Sequence, residues 1–367
     1  MGKFFCSLGL MSGTSGDGVD ASIIQSDGDT EYKAVLDRYF QYSQNIFKNI
    51  HDLKEEINNS KDLNKLSNKI QPLEKEITIF HAEIVKKIME EYKSNVDFVG
   101  FHGQTIFHNE KEKISKQLGD GKLLAQLTKK TVIYDFRQND IKNGGNGAPL
   151  TPIFHKLLKK KFKINNVTFV NIGGISNITS LSNDNYMSGT DVGPGMCLID
   201  RWLREKSKKK YDEKGKIARS GEINKLVLNQ LLDNFREKEK NIGSGLIKSY
   251  DTKYFNNSFL KNLSLEEGVA TLTEFTVQLI TSALNKNNGK DKIILCGGGR
   301  KNNFLVEKLK EKIENIKLID EYGINGDFVE SQAFAYIAIR SYLKLPISFP
   351  ETTGVKKPLT GGVIVKN

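Results

Sequence analysis

The segment from Leu8 to Asp20 combines glycine, hydroxyl and carboxylate residues in the order LGLMSGTSGDGVD. Its glycines allow backbone N–H groups to approach an anion closely, and Thr14 and Ser15 add hydroxyl donors. Asp17 and Asp20 would repel a phosphate unless a metal ion lies between them, and Mg²⁺ prefers such oxygen ligands. The segment therefore predicts a site for a magnesium–nucleotide complex, with an ordinary Gly/Ser/Asp-rich hairpin loop as the alternative.

The segment differs from the two common phosphate-binding motifs. It lacks the Gly-Lys-Ser/Thr of a Walker A loop, and it is not a GxGxxG sequence that opens a helix. Apolar residues precede and follow it, which predicts two strands joined by a turn. Because a short glycine pattern often occurs by chance, the nucleotide interpretation depends on the rest of the chain.

Polar side chains also follow a second apolar run. The sequence DFVGFHGQT, from Asp97 to Thr105, predicts a buried strand that ends in a glycine turn carrying His102 and Gln104. Polar residues just beyond the C-terminal end of a strand face the ligand crevice of an α/β sheet. Because a lone histidine is more often a structural hydrogen-bonding group than a catalyst, both roles stay open for His102.

A third group lies after the predicted strand 131–135, where Arg137 and Asp140 precede the glycine-rich loop 143–149. The planar guanidinium group of Arg137 suits a carboxylate or the oxygens of a sugar. The alternative is a structural pair between Arg137 and Asp140 across the turn. The join between two domains is predicted near this loop.

The second half of the chain repeats the pattern of the first. The sequence VTFVNIGGISNIT, from Val167 to Thr179, is again a strand, a Gly/Ser/Asn turn and a strand. This similarity predicts a duplication in which two similar α/β domains face each other across a cleft. Residues 1–135 with about 346–367, a tail predicted to return a strand, would form the first domain. Residues 136–345 would form the second.

Candidate catalytic and nucleotide-binding groups continue through the second half. Asp191 is predicted in a glycine-bound turn before a helix, either as a helix-capping residue or as a carboxylate that points into the cleft. The strand 292–296 runs into a glycine run, 297–299, and a helix, an arrangement that brings backbone close to a nucleotide. Glu330 begins a predicted helix of small residues.

Composition limits the class of protein. The length of 367 residues and the 38% hydrophobic content predict two domains with their own cores, and residues 44–92 predict helices covering one face of a sheet. No apolar run is long enough for a membrane span, so a cytoplasmic protein without a membrane partner is predicted. The net charge of +11 comes from lysine runs without interleaved aromatic residues, which argues against a nucleic-acid partner.

Seven sequence blocks, in this order, resemble the anhydro-N-acetylmuramic acid kinase family. They are MSGTS with DGVD, FHGQT, FR with a later Asp and GGNGAPL, NIGGISN, DVGPG, CGGG with a later Asn, and ESQAFA. The resemblance covers nearly the whole chain. A set of ordered blocks is far more specific than any one of them.

The resemblance implies the fold and the activity. Members have two RNase H-like domains, as in hexokinase, Hsp70 and actin, that close over a nucleotide cleft. They use ATP and Mg²⁺ to open 1,6-anhydro-N-acetylmuramic acid with water and phosphorylate O6, in cell-wall recycling, and they often form homodimers. Two alternatives are another sugar kinase of this superfamily acting on a plain hydroxyl, and a nucleotide-dependent binding protein with slow turnover.

The resemblance also implies residue roles. Asp191 would be the catalytic base, and Glu330 a second catalytic candidate near the metal or the water. The sugar would contact Arg137 and, as weaker candidates, three others: Asp140, His102 and Gln104. Asp17 and Asp20 would bind the metal. The nucleotide would contact the glycine-rich turns, namely Gly13, Thr14, Ser15, Gly16, Asp17, Gly18, Val19, Asp20, Gly173, Gly174, Gly297, Gly298 and Gly299.

The chain departs from the family pattern at several positions. Gly16 stands where relatives usually carry a larger apolar residue, which predicts a more mobile turn. Lys142 replaces a small residue, Asn146 replaces Gln, and Gly326 replaces Pro. The sequence YDTK at 250–253 replaces Thr-Gly-Arg-Glu. These departures leave the details of the sugar site more open than those of the nucleotide site.

Overall fold

The computed structural model describes residues 3–184, 186–242, 248, 250–285 and 291–366. The chain forms two compact units, one comprising Met1–Lys163 with Asp327–Asn367 and the other Ile164–Gly326. The first unit therefore contains more residues than predicted. Its boundaries lie at 163/164 and 326/327, whereas the sequence predicted 135/136 and 345/346. The helices that precede and follow the second unit in the sequence both pack within the first unit. The ring of Phe154, before the second unit, lies 5.3 Å from the ring of Tyr32 and 5.8 Å from the ring of Tyr336, which comes after it.

The first unit is a mixed sheet with helices. Its strands are β1 (Phe5–Ser12), β2 (Gly18–Ser26), β3 (Tyr32–Gln41), β4 (Phe98–Asn109), β5 (Ile114–Leu118), β6 (Thr131–Tyr134) and β12 (Val363–Val365). The last of these, β12, comes after the second unit in the sequence. Its helices are α1 (Gln44–Glu56), α2 (Ser60–Lys65), α3 (Ser67–Tyr92), α4 (Gly121–Thr128), α5 (Gln138–Lys142), α6 (Pro152–Phe162), α12 (Val329–Tyr342) and α13 (Pro350–Thr353). The strand order is β12-β6-β4-β1-β2-β3, with β5 beside β4.

The second unit repeats this plan with fewer strands. Its strands are β7 (Val167–Ile172), β8 (Ile175–Leu181), β9 (Met187–Pro194), β10 (Lys292–Cys296) and β11 (Ile316–Leu318). Its helices are α7 (Cys197–Lys206), α8 (Lys216–Ser220), α9 (Lys225–Ile242), α10 (Leu265–Asn285) and α11 (Asn303–Lys312). The strand order is β11-β10-β7-β8-β9.

The two sheets confirm the predicted duplication. In each unit the first three strands form an antiparallel sheet in sequence order. Two later strands extend it in parallel: β4 pairs with β1 and β6 with β4 in the first unit, and β10 pairs with β7 and β11 with β10 in the second. The predicted fold class, two α/β domains of the RNase H-like type, is therefore confirmed. The predicted return of the tail is also confirmed, because β12 pairs antiparallel with β6.

Both faces of the first sheet are covered. Alternate residues of β1, such as Leu8 and Leu10, pack in one core with Ile50 of α1 and Ile77 of α3. On the other face, α12 lies directly on the paired glycines of β1 and β4. A Cβ atom on Gly9 would lie 2.0 Å from the Ser331 carbonyl oxygen, so only glycine permits this approach.

The prediction that β4 ends in a glycine turn at His102 and Gln104 is wrong. Gly103 has a positive φ of 77°, but the strand continues through it because β5 supplies backbone partners from Gln104 to Asn109. Both polar side chains are therefore inside a strand and buried. No helix in the described part of the chain is both long enough and apolar enough to cross a membrane.

A buried histidine in the first unit predicts acid sensitivity. Burial lowers the pKa of His155 to about 3, whereas an unfolded histidine titrates near 6.5. Below pH ~6.5 the unfolded state binds a proton that the folded state excludes, so stability falls as the pH falls. Between pH 7.5 and 5.0, we expect the free energy of unfolding of His155→Gln to fall by about 2 kcal/mol less than that of the wild type. Urea denaturation at the two pH values checks this, and equal losses in both proteins would contradict it.

Candidate active site

The turn of the first hairpin, residues 13–17, joins β1 to β2 and is held from below by Gln104. The amide nitrogen of Gln104 donates to the Gly13 carbonyl at 3.0 Å, and its amide oxygen accepts from the Ser12 hydroxyl at 2.6 Å. The backbone N–H of Gly16 also donates to the Gly13 carbonyl, which closes the turn. Gln104 is fully buried and supports the hairpin, and its predicted contact with the sugar stays a prediction.

The same turn is held from the side by α1. The ammonium group of Lys54 donates to the Thr14 carbonyl at 2.8 Å, and the His51 Nε2 atom donates to the Ser15 carbonyl at 2.9 Å. Successive carbonyl groups of the turn are thus bonded to the protein, while Thr14 and Ser15 themselves are exposed. This arrangement is typical of a backbone loop that presents N–H groups to an anion.

The two carboxylates proposed for the metal lie at the end of this hairpin. Asp17 is exposed and accepts from the Ser15 hydroxyl, while Asp20 is partly buried and pairs across the ladder with Tyr39. Burial and the charges of both carboxylates raise the pKa of Tyr39. Within the described residues, no group of three or more His, Cys, Asp or Glu side chains could hold a metal ion. Two carboxylates with phosphate oxygens and water still suit Mg²⁺.

His102 holds the guanidinium group of Arg137. Because arginine can only donate, the His102 Nε2 atom accepts from it, at 2.8 Å from Nη2 and 3.2 Å from Nε. The His102 Nδ1 atom therefore carries the proton and donates to the Gly103 carbonyl at 2.8 Å. Burial and the nearby Arg137 charge keep the pKa of His102 well below its usual value, so the ring is neutral. His102 is thus a positioning group for Arg137.

Arg137 and Asp140 both hold the glycine-rich loop at Gly147. Arg137 Nη1 donates to the Gly147 carbonyl at 2.7 Å, and the Gly147 N–H donates to the Asp140 carboxylate at 2.7 Å. The other Asp140 oxygen accepts from the Thr353 hydroxyl at 2.6 Å. Asp140 is buried, and these contacts give it a structural role, whereas Arg137 is partly exposed.

Asp191 lies within β9, so its predicted position in a turn is wrong. The flanking glycines stay in the ladder because β8 supplies partners, Thr179 for Gly189 and Ser176 for Gly193. A bulge follows Asp191, and bulges commonly redirect a side chain at a functional site. The Tyr250 backbone N–H donates to the Asp191 carboxylate at 2.8 Å.

Asp191 belongs to a row of polar residues across the second sheet. It pairs with Asn177, which pairs with Asn171, which pairs with Cys296 at the end of β10. Directly paired residues share a face of the sheet, so Asp191 and the two asparagines lie side by side. The Asn171 side chain reaches Gly297, where an added Cβ atom would lie 2.3 Å from its oxygen. The carboxylate and the glycine run therefore lie at one end of one sheet.

The glycine turns of the second unit are tightly anchored. The carbonyls of Gly173 and Gly174 accept from the backbone N–H groups of Met196 and Gly195, at the start of α7. In the predicted glycine run, Gly297 has a φ of 79° and Gly299 packs against Ile172. An added Cβ atom on exposed Gly298 would meet no atom within 4 Å, so this position is open.

The buried side chain of Arg300 holds the first residue of the glycine run. Its guanidinium group donates to both Asp320 carboxylate oxygens, at 2.7 and 2.9 Å, and to the Gly297 carbonyl at 3.0 Å. These bonds hold the pKa of Asp320 below its usual value. Gly326 packs against the Arg300 side chain, where an added Cβ atom would lie 2.2 Å from Nε.

Glu330 lies in the first turn of α12 and is partly buried. Its catalytic role stays a prediction. Three other residues that hold these turns, His51, Lys54 and Arg300, were not among the predicted site residues. His51 and Lys54 belong to a polar, lysine-containing helix that resembles a solvated surface, so the sequence pattern gives no signal for them. The position of Arg300 directly after the glycine run could have indicated it.

The chain is similar to known proteins over its whole length. A family model described as "Anhydro-N-acetylmuramic acid kinase" matches residues 5–367. The anhydro-N-acetylmuramic acid kinase of Pelagibacter ubique is 52% identical over 378 residues, covering 100% of both chains. That of Agrobacterium fabrum is 34% identical over 384 residues, also covering 100% of both.

This chain also has a distant likeness to a solved structure of an enzyme component. Component A of (R)-2-hydroxyglutaryl-CoA dehydratase from Acidaminococcus fermentans has a TM-score of 0.46 and 11% identity, covering 93% of this chain and 100% of that one. A likeness this weak supports no inference about function.

Proposed function

This chain belongs to the anhydro-N-acetylmuramic acid kinase family, and from that premise we propose its reaction, its site and its role. The chain is a kinase with an alcohol acceptor. The proposed reaction converts 1,6-anhydro-N-acetylmuramic acid, ATP and water into N-acetylmuramic acid 6-phosphate and ADP. The proposed role is the recycling of cell-wall murein in the cytoplasm, by a homodimer.

The reaction couples two bond changes. Water attacks the anomeric carbon and breaks its bond to the bridging oxygen, and that oxygen, O6, takes the γ-phosphoryl group of ATP. A carboxylate that removes a proton from water, with an electrophile at the leaving oxygen, is the arrangement of an inverting glycosidase. We assign the proton transfer to Asp191. The phosphoryl group replaces the acid of the glycosidase.

One observation carries this proposal, the polar row across the second sheet. Asp191 shares a face with Asn177 and Asn171, and Asn171 contacts the open glycine run. A carboxylate held by a backbone N–H at the same end of the sheet as a glycine run suits a base that works beside a bound nucleotide. Glu330 is a secondary candidate for the metal or the water.

The residues present fit a magnesium–nucleotide complex. The first hairpin turn has its carbonyls bonded inward and its hydroxyls exposed, and Gly298 leaves open space where a side chain would otherwise project. Asp17 and Asp20 would hold Mg²⁺, which neutralises phosphate charge during phosphoryl transfer. The hairpin would bind the phosphates. A nucleotide-binding role of the second unit's glycine turns stays a separate prediction.

The sugar contact is assigned to Arg137. N-acetylmuramic acid carries a carboxylate on its lactyl group, and a planar guanidinium group binds carboxylates with two parallel hydrogen bonds. His102 and the Gly147 carbonyl fix the orientation of this group, so little conformational entropy is lost on binding. Asp140 contributes by holding the loop.

Mass spectrometry of the sugar product tests the reaction. The protein is incubated with 1,6-anhydro-N-acetylmuramic acid and MgATP in ¹⁸O-labelled water. We expect a 6-phosphate with the label at the anomeric position. An unlabelled phosphorylated product with an intact bridge would identify a plain hydroxyl kinase, and ADP release that does not depend on the sugar would exclude both kinase reactions.

Gly298 allows a separate test of the nucleotide site. Gly298 is exposed and an added Cβ atom there meets no protein atom within 4 Å, so the free energy of unfolding of a valine variant should change little, whereas a bound nucleotide would be obstructed. We expect Gly298→Val to raise KM for ATP by about tenfold or more, equivalent to ~1.4 kcal/mol, with KM for the sugar nearly unchanged. Steady-state kinetics and thermal melting measure both effects. An unchanged KM for ATP would show that the nucleotide lies elsewhere.

A further inference from the structure

We propose that Lys54 and His51 of α1 are positioning residues for the phosphates of the nucleotide. They hold two carbonyl groups of the first hairpin turn so that the Ser15 backbone N–H faces away from α1, toward a bound phosphate. This proposal rests on the proposed function, because it takes the first hairpin to be the phosphate-binding loop.

The two contacts come from one face of a firmly packed helix. His51 and Lys54 are three residues apart, a spacing that places side chains together on a helix surface. The adjacent face of α1 is anchored in the core by Ile46, Ile50 and Leu53, all buried. Because the helix is fixed, the positions of the imidazole and the ammonium groups relative to the turn are fixed as well.

The planarity of the peptide group converts these contacts into an orientation. In a trans peptide the N–H points opposite to the C=O. The Thr14 carbonyl points to Lys54, so the Ser15 N–H in the same peptide points away from α1. The Ser15 carbonyl points to His51, and the Gly16 N–H of that peptide donates to the Gly13 carbonyl at 3.1 Å. The side-chain contacts therefore aim one backbone donor outward and close the turn with the next.

Gly16 permits this close approach of the helix. Its φ is +65°, and an added Cβ atom would lie 3.1 Å from Ile50 Cγ2, tighter than ordinary contacts. A larger residue at this position would have to displace α1 or the turn. In this chain, hydrogen bonds from His51 and Lys54 offset the flexibility that Gly16 would otherwise introduce.

Nucleotide binding to matched variants tests the proposal. Calorimetry measures the Kd of MgAMPPNP for the wild type, Lys54→Met, Lys54→Arg, His51→Leu and Lys48→Met. Lys48 is the control, because it lies on the same helix but forms an ion pair with Asp52. We expect Lys54→Met to raise Kd by about tenfold, as for a lost hydrogen bond from a charged donor, and His51→Leu to raise it less. Lys54→Arg should retain most of the affinity.

The outcomes separate this proposal from related ones. A Kd for Lys54→Met within twofold of the wild type would overturn it. Equal effects of Lys54→Met and Lys48→Met, both lost at high salt, would also overturn it, since they would indicate only long-range charge. Thermal melting identifies any variant that fails to fold. If Lys54→Met fails to fold, the Kd of Lys54→Arg tests the proposal, and a large loss of affinity in that folded variant would contradict it.

The proposed reaction can fail independently. If the wild type binds MgAMPPNP but does not convert the anhydro sugar, the function is wrong while the binding series still decides the role of Lys54. A wild type that binds no MgAMPPNP would overturn both.

Discussion

Replacing Asp191 with asparagine is expected to lower kcat by at least roughly a hundredfold, the usual contribution of a positioned general base. Asparagine has nearly the same shape, and its amide oxygen can still accept from the Tyr250 N–H, so the local geometry should persist. It cannot take a proton from water. The chemical step should therefore slow, while the Kd of MgAMPPNP changes little.

The matched control for this substitution is Asp233→Asn. Asp233 is an exposed carboxylate in the same unit, with a surface ion pair to Arg236, and its loss should leave kcat unchanged. Steady-state kinetics at saturating sugar and ATP give kcat for both variants. If Asp191→Asn keeps most of the wild-type kcat, another carboxylate is the base, and Glu330 is the next one to replace.

The second large effect is expected from Arg137→Lys. Lysine keeps the positive charge but has no planar fork, so it cannot bond His102 and Gly147 together and still present two parallel donors to a carboxylate. We expect kcat/KM for the anhydro sugar to fall by roughly a hundredfold, equivalent to ~2.7 kcal/mol. KM for ATP should stay nearly constant, because Arg137, which lies between β6 and α5, is assigned to the sugar and not to the nucleotide.

The control for Arg137→Lys is Arg38→Lys. Arg38 forms a half-exposed ion pair with Glu91 on the surface of the same unit, and an arginine-to-lysine change there should have little effect. A kcat/KM for Arg137→Lys within threefold of the wild type would remove Arg137 from the sugar site. A comparison with 1,6-anhydro-N-acetylglucosamine, which lacks the lactyl carboxylate, then identifies the atoms concerned: loss of the Arg137 effect with that sugar indicates the carboxylate.

Much of the fold could be predicted from the sequence. Alternating and continuous apolar runs around the two glycine turns predicted both hairpins, and the structure confirms them as β1–β2 and β7–β8. Helices over 44–92 and the glycine run after β10 are also confirmed. These features depend on side chains close together in the chain, where periodicity determines which face is buried.

The predicted turns at His102 and Asp191 were wrong for a shared reason. Glycines near each residue indicated the end of a strand, but a neighbouring strand, β5 or β8, supplies hydrogen-bond partners that continue it. The domain boundary was misplaced for a similar reason. Helix α12 follows the second unit in sequence but packs on Gly9 and Gly100 of the first sheet.

The sequence alone determined the family, the duplicated α/β plan and the residue types available for chemistry, because ordered motifs and apolar periodicity are local properties of the chain. Only the tertiary structure decided what each residue contacts. His102 orients Arg137, Gln104 supports the first hairpin, and Lys54 reaches the Thr14 carbonyl from α1. These partners are far apart in sequence, and their contacts exist because core packing sets where each strand and helix lies.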